Sequence, residues 1–164
     1  MTQRTNEHGQ PIGADLPTWT PRARPDQSPL TGQYAAVIRL DPATHADDLF
    51  AAFATDTSGA MWTYMPNGPF ADRAVFAAFM AQAEVSTDPL FYAIINKATG
   101  RAEGVASYLR IDPTAGAIEV GFIAMSPLLQ KTRVATEAMY LMMAHAMDDL
   151  GYRRYEWKCD NLNA

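Results

Sequence analysis

The chain has 164 residues and 48% hydrophobic content, enough for one domain with a buried core, and one domain is the expectation. Charged residues make up 19% of it for a net charge of -5, and only Arg153 and Arg154 are adjacent basic residues, so the basic stripe of a nucleic-acid binder is excluded. The single cysteine, Cys159, rules out an intramolecular disulfide, zinc-type Cys/His spacing is absent, the first ten residues are polar, and no apolar run nears the roughly 18 residues of a membrane span; a soluble, cytoplasmic protein without metal, membrane or nucleic-acid partner is expected.

Met1 to Gln33 carries Pro11, Pro17, Pro21, Pro25 and Pro29, a spacing that forbids both helix and ladder. Residues 1–33 therefore read as an extended arm, pinned by Trp19 and Leu30, or as a partly disordered tail, with a domain over residues 34–164. Tyr34 to Leu40 is a short strand that stops at Asp41-Pro42. Asp41 or Thr44 then caps a helix reaching Phe53, with Leu49, Phe50 and Phe53 on one stripe and His45 read as a solvated surface histidine. Thr57 to Phe70 is broken by Pro66, Gly68 and Pro69, and its aromatics form either a pocket wall or an irregular small core.

Asp72 caps a helix to Glu84, with Val75, Phe76, Phe79 and Met80 repeating at helical spacing. Leu90 to Asn96 and Glu103 to Arg110 are strands joined at Gly100, and Asp112 to Gly116 turns the chain into a third strand ending at Met125, which makes an antiparallel meander. A helix over Thr132 to Leu150 follows, with Gly151 as its C′ residue, its methionines as core and His145 as a buried or rim histidine. A last strand, Arg154 to Asp160, is expected parallel to the strand before the helix.

The junction Met125-Ser126-Pro127 to Gln130-Lys131-Thr132-Arg133-Val134-Ala135 is a strand, a turn and a helix start, whose free N–H groups and dipole suit a phosphate. Together with the strand Tyr155 to Asp160, it resembles the GCN5-related N-acetyltransferases (GNAT), and most of all their ribosomal-protein-acetyltransferase-like branch. Gln130 and Ala135 match that family's Arg/Gln-x-x-Gly-x-Gly/Ala pattern, whereas Arg133 stands at the usual glycine. The fold implied is α/β (α+β): a mixed sheet with an antiparallel meander, a strand-loop-helix coenzyme junction and a parallel fifth strand.

The resemblance implies an N-acetyltransferase that moves an acetyl group from acetyl-coenzyme A directly to a primary amine on a small molecule or a protein N-terminus. It places the pyrophosphate on Gln130, Lys131, Thr132, Arg133, Val134, Ala135 and Thr136, and the pantetheine arm beside Phe122, Ile123, Met125 and Asn163. Arg133 either pairs with a phosphate or makes a helical pair with Glu137. The acceptor side falls on Trp62 and Tyr64.

Glu119 alternates with Ile118 and Val120 inside an apolar strand and is read as facing a cleft, where burial would raise its pKa towards that of a general base. The other reading is a cross-strand salt bridge with Arg110 or Lys158. Cys159 is read as a small buried residue, since no histidine can be placed beside it. The family continues past Asn163 with a helix and two strands, so the expectation is an incomplete domain, weakly active or covered by a second copy as a homodimer. The alternative function is a non-catalytic coenzyme-binding or dimerising module.

Overall fold

The computed structural model describes residues 4–163, so the first three residues of the expected arm and Ala164 lie outside it. Among the described residues from 4 to 29 the prolines leave only an isolated bridge between Thr5 and Pro11. The segment is tied down by side chains instead. Trp19 Nε1 donates to the Thr114 carbonyl at 2.8 Å, Arg22 Nε to that of Gly151 at 3.0 Å and one Arg24 nitrogen to that of Thr87 at 2.6 Å. Arg22 also stacks 4.3 Å from the Trp19 ring. Gly116 makes this docking feasible: its φ is +64°, and a Cβ there would stand 2.2 Å from the Trp19 ring.

Six strands form one sheet in chain order: β1 (Leu30–Thr31), β2 (Ala35–Arg39), β3 (Leu90–Asn96), β4 (Arg101–Asp112), β5 (Ala117–Met125) and β6 (Arg154–Trp157). All neighbours are antiparallel except β5 and β6, which are joined through a helix and run parallel. The first pair, Leu30 opposite Val37, is a hairpin that the proline-rich composition did not announce.

The helices lie on both faces, so the central strands are apolar on both sides. On one face α3 (Arg133–Ala144), extended by a wider π-type turn at His145–Asp149, covers Val37, Tyr92, Ile94, Tyr108 and Ile118. Tyr108 is fully buried there and its hydroxyl donates to the Met142 carbonyl at 2.5 Å. On the other face α1 (Pro42–Phe53) and α2 (Arg73–Val85) cover Leu40, Phe91, Ala93 and Val105 with Phe53, Phe76 and Met80. The alternation along β3, Phe91 and Ala93 against Tyr92 and Ile94, divides its residues between these two cores.

Each helix starts where a side chain takes its free N–H groups. Asp41 accepts from Ala43 N–H with Pro42 behind it, Asp72 from Ala74 and Val75, and Thr132 from Ala135. Asp41, not Thr44, is thus the cap of α1. His45 departs from expectation: it is 5% exposed, and its Nδ1 accepts the Asp41 N–H at 3.1 Å. Burial lowers its pKa and favours the neutral ring which that bond requires. His145 is partly buried, with Nδ1 3.0 Å from Asp149 Oδ2.

Candidate active site

β5 pairs with β4 over nearly its whole length, but with β6 only from Ala117 opposite Arg154 to Val120 opposite Trp157. Beyond that pair the two parallel strands part, and the backbone of Gly121 to Met125 loses its partner on that side. The opening leads into a cleft of about 910 Å³. Glu119, Gly121, Phe122, Ile123 and Met125 form its floor, with Pro127 and Gln130 beside the helix junction. The loop with Met61 and Tyr64 makes one wall; Trp157 to Asp160, Leu162 and Asn163 make the other.

Bulges shape this floor. Between Val105 and Ser107 of β4 the register slips by one residue on β5, and between Leu109 and Asp112 it slips the other way. The residues at these slips, Phe122 and Arg110, have φ of 49° and 47°. Among the described residues one further non-glycine residue lies in the left-handed region, Lys131, φ 59°, in the turn before α3. All three flank the cleft or its junction, the kind of place where proteins retain backbone strain for function.

At the junction the Ser126 carbonyl accepts the N–H groups of Leu129 at 2.9 Å and Gln130 at 3.0 Å. Thr132 caps Ala135 at 3.2 Å, and Gln130 Nε2 donates to the Met125 carbonyl at 2.9 Å. Among the described residues no acceptor meets the N–H groups of Arg133 and Val134, which leaves two donors and the dipole of α3 for an anion. The side chains of Val134 and Ala135 are buried under the helix, so only their backbone can take part. Arg133 does not pair with Glu137. It lies 4.9 Å from the Tyr34 ring, while Glu137 accepts the N–H groups of Gln33, Tyr34 and Ala35 at 2.8, 2.6 and 2.6 Å.

Glu119 is 4% exposed, and both carboxylate oxygens are taken. Arg110 donates to Oε1 at 2.5 Å and Lys158 Nζ donates to Oε2. Burial pushes the carboxyl pKa up, but the hydrogen bonds and charges of Lys158 and Arg110 outweigh it and hold the group below its ordinary value. The rise expected from burial alone is reversed, and the cross-strand pairing occurs with both cations.

A family model for the acetyltransferase (GNAT) domain matches residues 38–164. A GCN5-related N-acetyltransferase from Brucella melitensis is 42% identical, with a TM-score of 0.88 over 91% of this chain and 67% of that one. A probable acetyltransferase of the GNAT family from Chromobacterium violaceum is 33% identical, with a TM-score of 0.84 over 94% and 76%. The chain belongs to the GNAT acetyltransferase family. A ribosomal L7/L12 alpha-N-protein acetyltransferase solved with coenzyme A shares the fold at 14% identity, with a TM-score of 0.68 over 83% of this chain and 77% of that one. No curated protein matches.

Within this acetyltransferase domain the residues expected at a site separate into two groups. Glu119, Phe122, Ile123, Met125, Gln130, Asn163 and Tyr64 line the cleft, and Lys131 to Thr136 form the adjoining turn and helix start. Trp62 is a correction: it is 7% exposed in the aromatic core, edge-on to Phe53 at 5.1 Å and Phe70 at 5.3 Å. Gly68, φ +77°, packs so closely against the indole that a Cβ would lie 2.4 Å from it. Cys159 is a second correction, exposed and on the cleft wall because β6 ends before it.

Asp56 belongs to the cleft wall and sequence reasoning passed over it. Its carboxylate accepts from the Ser58 hydroxyl at 2.7 Å and the Met61 N–H at 3.0 Å, and these bonds hold its pKa below the ordinary range. An Asp two residues before a Ser-Gly pair is an Asx-turn signal and could have been read. Among the described residues no group of three or more His, Cys, Asp or Glu could hold a metal, and no helix is long and apolar enough to cross a membrane.

Proposed function

We propose that this chain is an N-acetyltransferase that transfers acetyl from acetyl-coenzyme A directly to a primary amine, on a small molecule or a protein N-terminus, as in the ribosomal-protein branch of the family. The observation that carries this reading is the parting of β5 from β6 beyond Val120 and Trp157, one pair past Glu119, in the cleft that Gln130 of the α3 junction also lines.

In this reading the pyrophosphate rests on the backbone of Gln130 to Thr136, with the Arg133 guanidinium released from Tyr34 to a phosphate oxygen. The pantetheine follows the free edge of β5 along Phe122, Ile123 and Met125, with Asn163 opposite. Backbone N–H groups left by the departing β6 face the thioester carbonyl and stabilise the oxyanion as the amine attacks. Glu119 takes the ammonium proton, and Tyr64 borders the acceptor. No acyl-enzyme is needed.

Calorimetric titration of the purified chain with acetyl-coenzyme A is the test of the coenzyme site, and saturable binding is expected. Glu119→Gln should then lower turnover with an amine acceptor by about a hundredfold or more. Turnover near wild type would remove Glu119 from the chemistry. A second reading, a coenzyme-binding module without catalysis, is favoured by the two cations that occupy Glu119, and saturable binding with no transfer would establish it.

A further inference from the structure

The two cations on Glu119 are anchored differently. Arg110 sits on β4, where its N–H and that of Ile111 donate to Asp88 at 2.8 and 3.0 Å, so its guanidinium extends from fixed backbone. Lys158 comes one residue after Trp157, the last residue of β6 that pairs, and its side chain is 57% exposed. No ladder restrains it. Its other near charge is Glu156, 3.7 Å away and itself exposed to solvent on the same segment.

Lys158 Nζ is a primary ammonium, inside the cleft, bonded to Glu119 Oε2, on the side where β6 separates from β5. That is the position an acceptor amine has to reach. Resting on the acetyl-transfer reading above, we propose that Lys158 is an acceptor within the chain itself: acetyl-coenzyme A in the cleft acetylates its Nζ in cis, and the modification vacates Glu119 for an external amine.

The step balances without a further reactant. Glu119 Oε2 takes one proton from the ammonium, and the freed nitrogen lone pair attacks the thioester carbonyl carbon. The C–N bond forms, the C–S bond breaks, and the coenzyme leaves as a thiol. The nitrogen gives up two protons, one ending on the coenzyme sulfur and one passing through Glu119 to solvent. The product amide is neutral, so its ion pair with Glu119 is lost while Arg110 remains. One carboxylate oxygen then faces the cleft without a cation on it.

The sequence supplies its own controls, because it has three lysines. Lys97 is exposed and donates to the Gly32 carbonyl at 2.6 Å, and Lys131 is exposed on the turn before α3; neither lines the cleft. The purified chain is incubated with acetyl-coenzyme A, and acetylation at each lysine is followed by peptide mass spectrometry at two protein concentrations, with coenzyme binding measured by calorimetry on the same samples. Lys158 should be modified at least about tenfold faster than Lys97 and Lys131, at a rate unchanged by dilution, and Glu119→Gln should slow it by at least about tenfold while still binding the coenzyme. Binding with Lys158 modified no faster than the other two overturns self-acetylation and leaves the acetyl-transfer reading standing. A rate that rises with protein concentration overturns transfer in cis, and an unchanged rate in Glu119→Gln overturns the proton route. Absence of binding overturns the acetyl-transfer reading and the proposal with it.

Discussion

The two halves of β5 are consecutive in sequence and opposite in use. Ala117 to Val120 is paired on both sides and buried throughout, whereas Gly121 to Met125 is paired on one side only and mostly half-exposed. The first half places Ile118 and Val120 in the core under α3 and turns Glu119 to the cleft; the second carries the bulge at Phe122 and forms the rest of the cleft floor. A strand whose backbone groups are all in ladders can only support a site. One that a neighbour deserts keeps free donors at a fixed place, which is what binding an extended thioester arm requires.

Substitutions in the two halves should therefore fail in different ways. Ile118→Ala, at a residue 1% exposed, is expected to cost about 2–5 kcal/mol in denaturant unfolding and to leave acetyl-coenzyme A affinity of the folded protein unchanged. Ile123→Ala should reverse the pattern, with a smaller stability loss and a several-fold weaker calorimetric affinity; equal behaviour of the two would erase the distinction.

Glu119 sits at the boundary between the halves and reports on it through pH. Its pKa is lower in the folded chain than in the unfolded one, so its ion pairs contribute fully above the unfolded value near 4.3 and lose their contribution as pH falls through the depressed folded value. Glu119→Gln should flatten the acid limb of a stability-against-pH curve, and an unaltered limb would mean that other carboxylates, such as Glu137, carry it.

Smaller effects probe the rim. Arg133→Ala should weaken acetyl-coenzyme A several-fold, about 1 kcal/mol, by calorimetry; unchanged affinity would leave the guanidinium with only its Tyr34 contact. Tyr64→Phe removes the hydroxyl that donates to the Leu162 carbonyl at 3.0 Å, and the expected loss in thermal unfolding is about 1 kcal/mol or less. A larger loss would show that this one bond fastens the two cleft walls together.

Much of the scaffold was legible in the chain itself, because the determinants act within a turn or a hairpin. Asp41 and Asp72 are helix caps, Gly100 turns the β3–β4 hairpin, the alternation of β5 points Glu119 away from Ile118, and Thr132 starts α3 after the Ser-Pro stop. The Gln130 to Ala135 junction carried the family signal despite Arg133. Tertiary structure alone decided that β6 leaves β5 after Trp157, that Arg110 and Phe122 adopt left-handed backbone with no glycine to announce it, and that Trp62 and His45 are buried while Cys159 is exposed. It also decided the direction in which the Glu119 pKa moves, since burial alone would raise it and the lowering depends on Arg110, nine residues away, and Lys158, thirty-nine residues away. Local patterning specifies which face a side chain takes; how well that face is covered, and by which charges, is set by segments that meet only when the sheet closes.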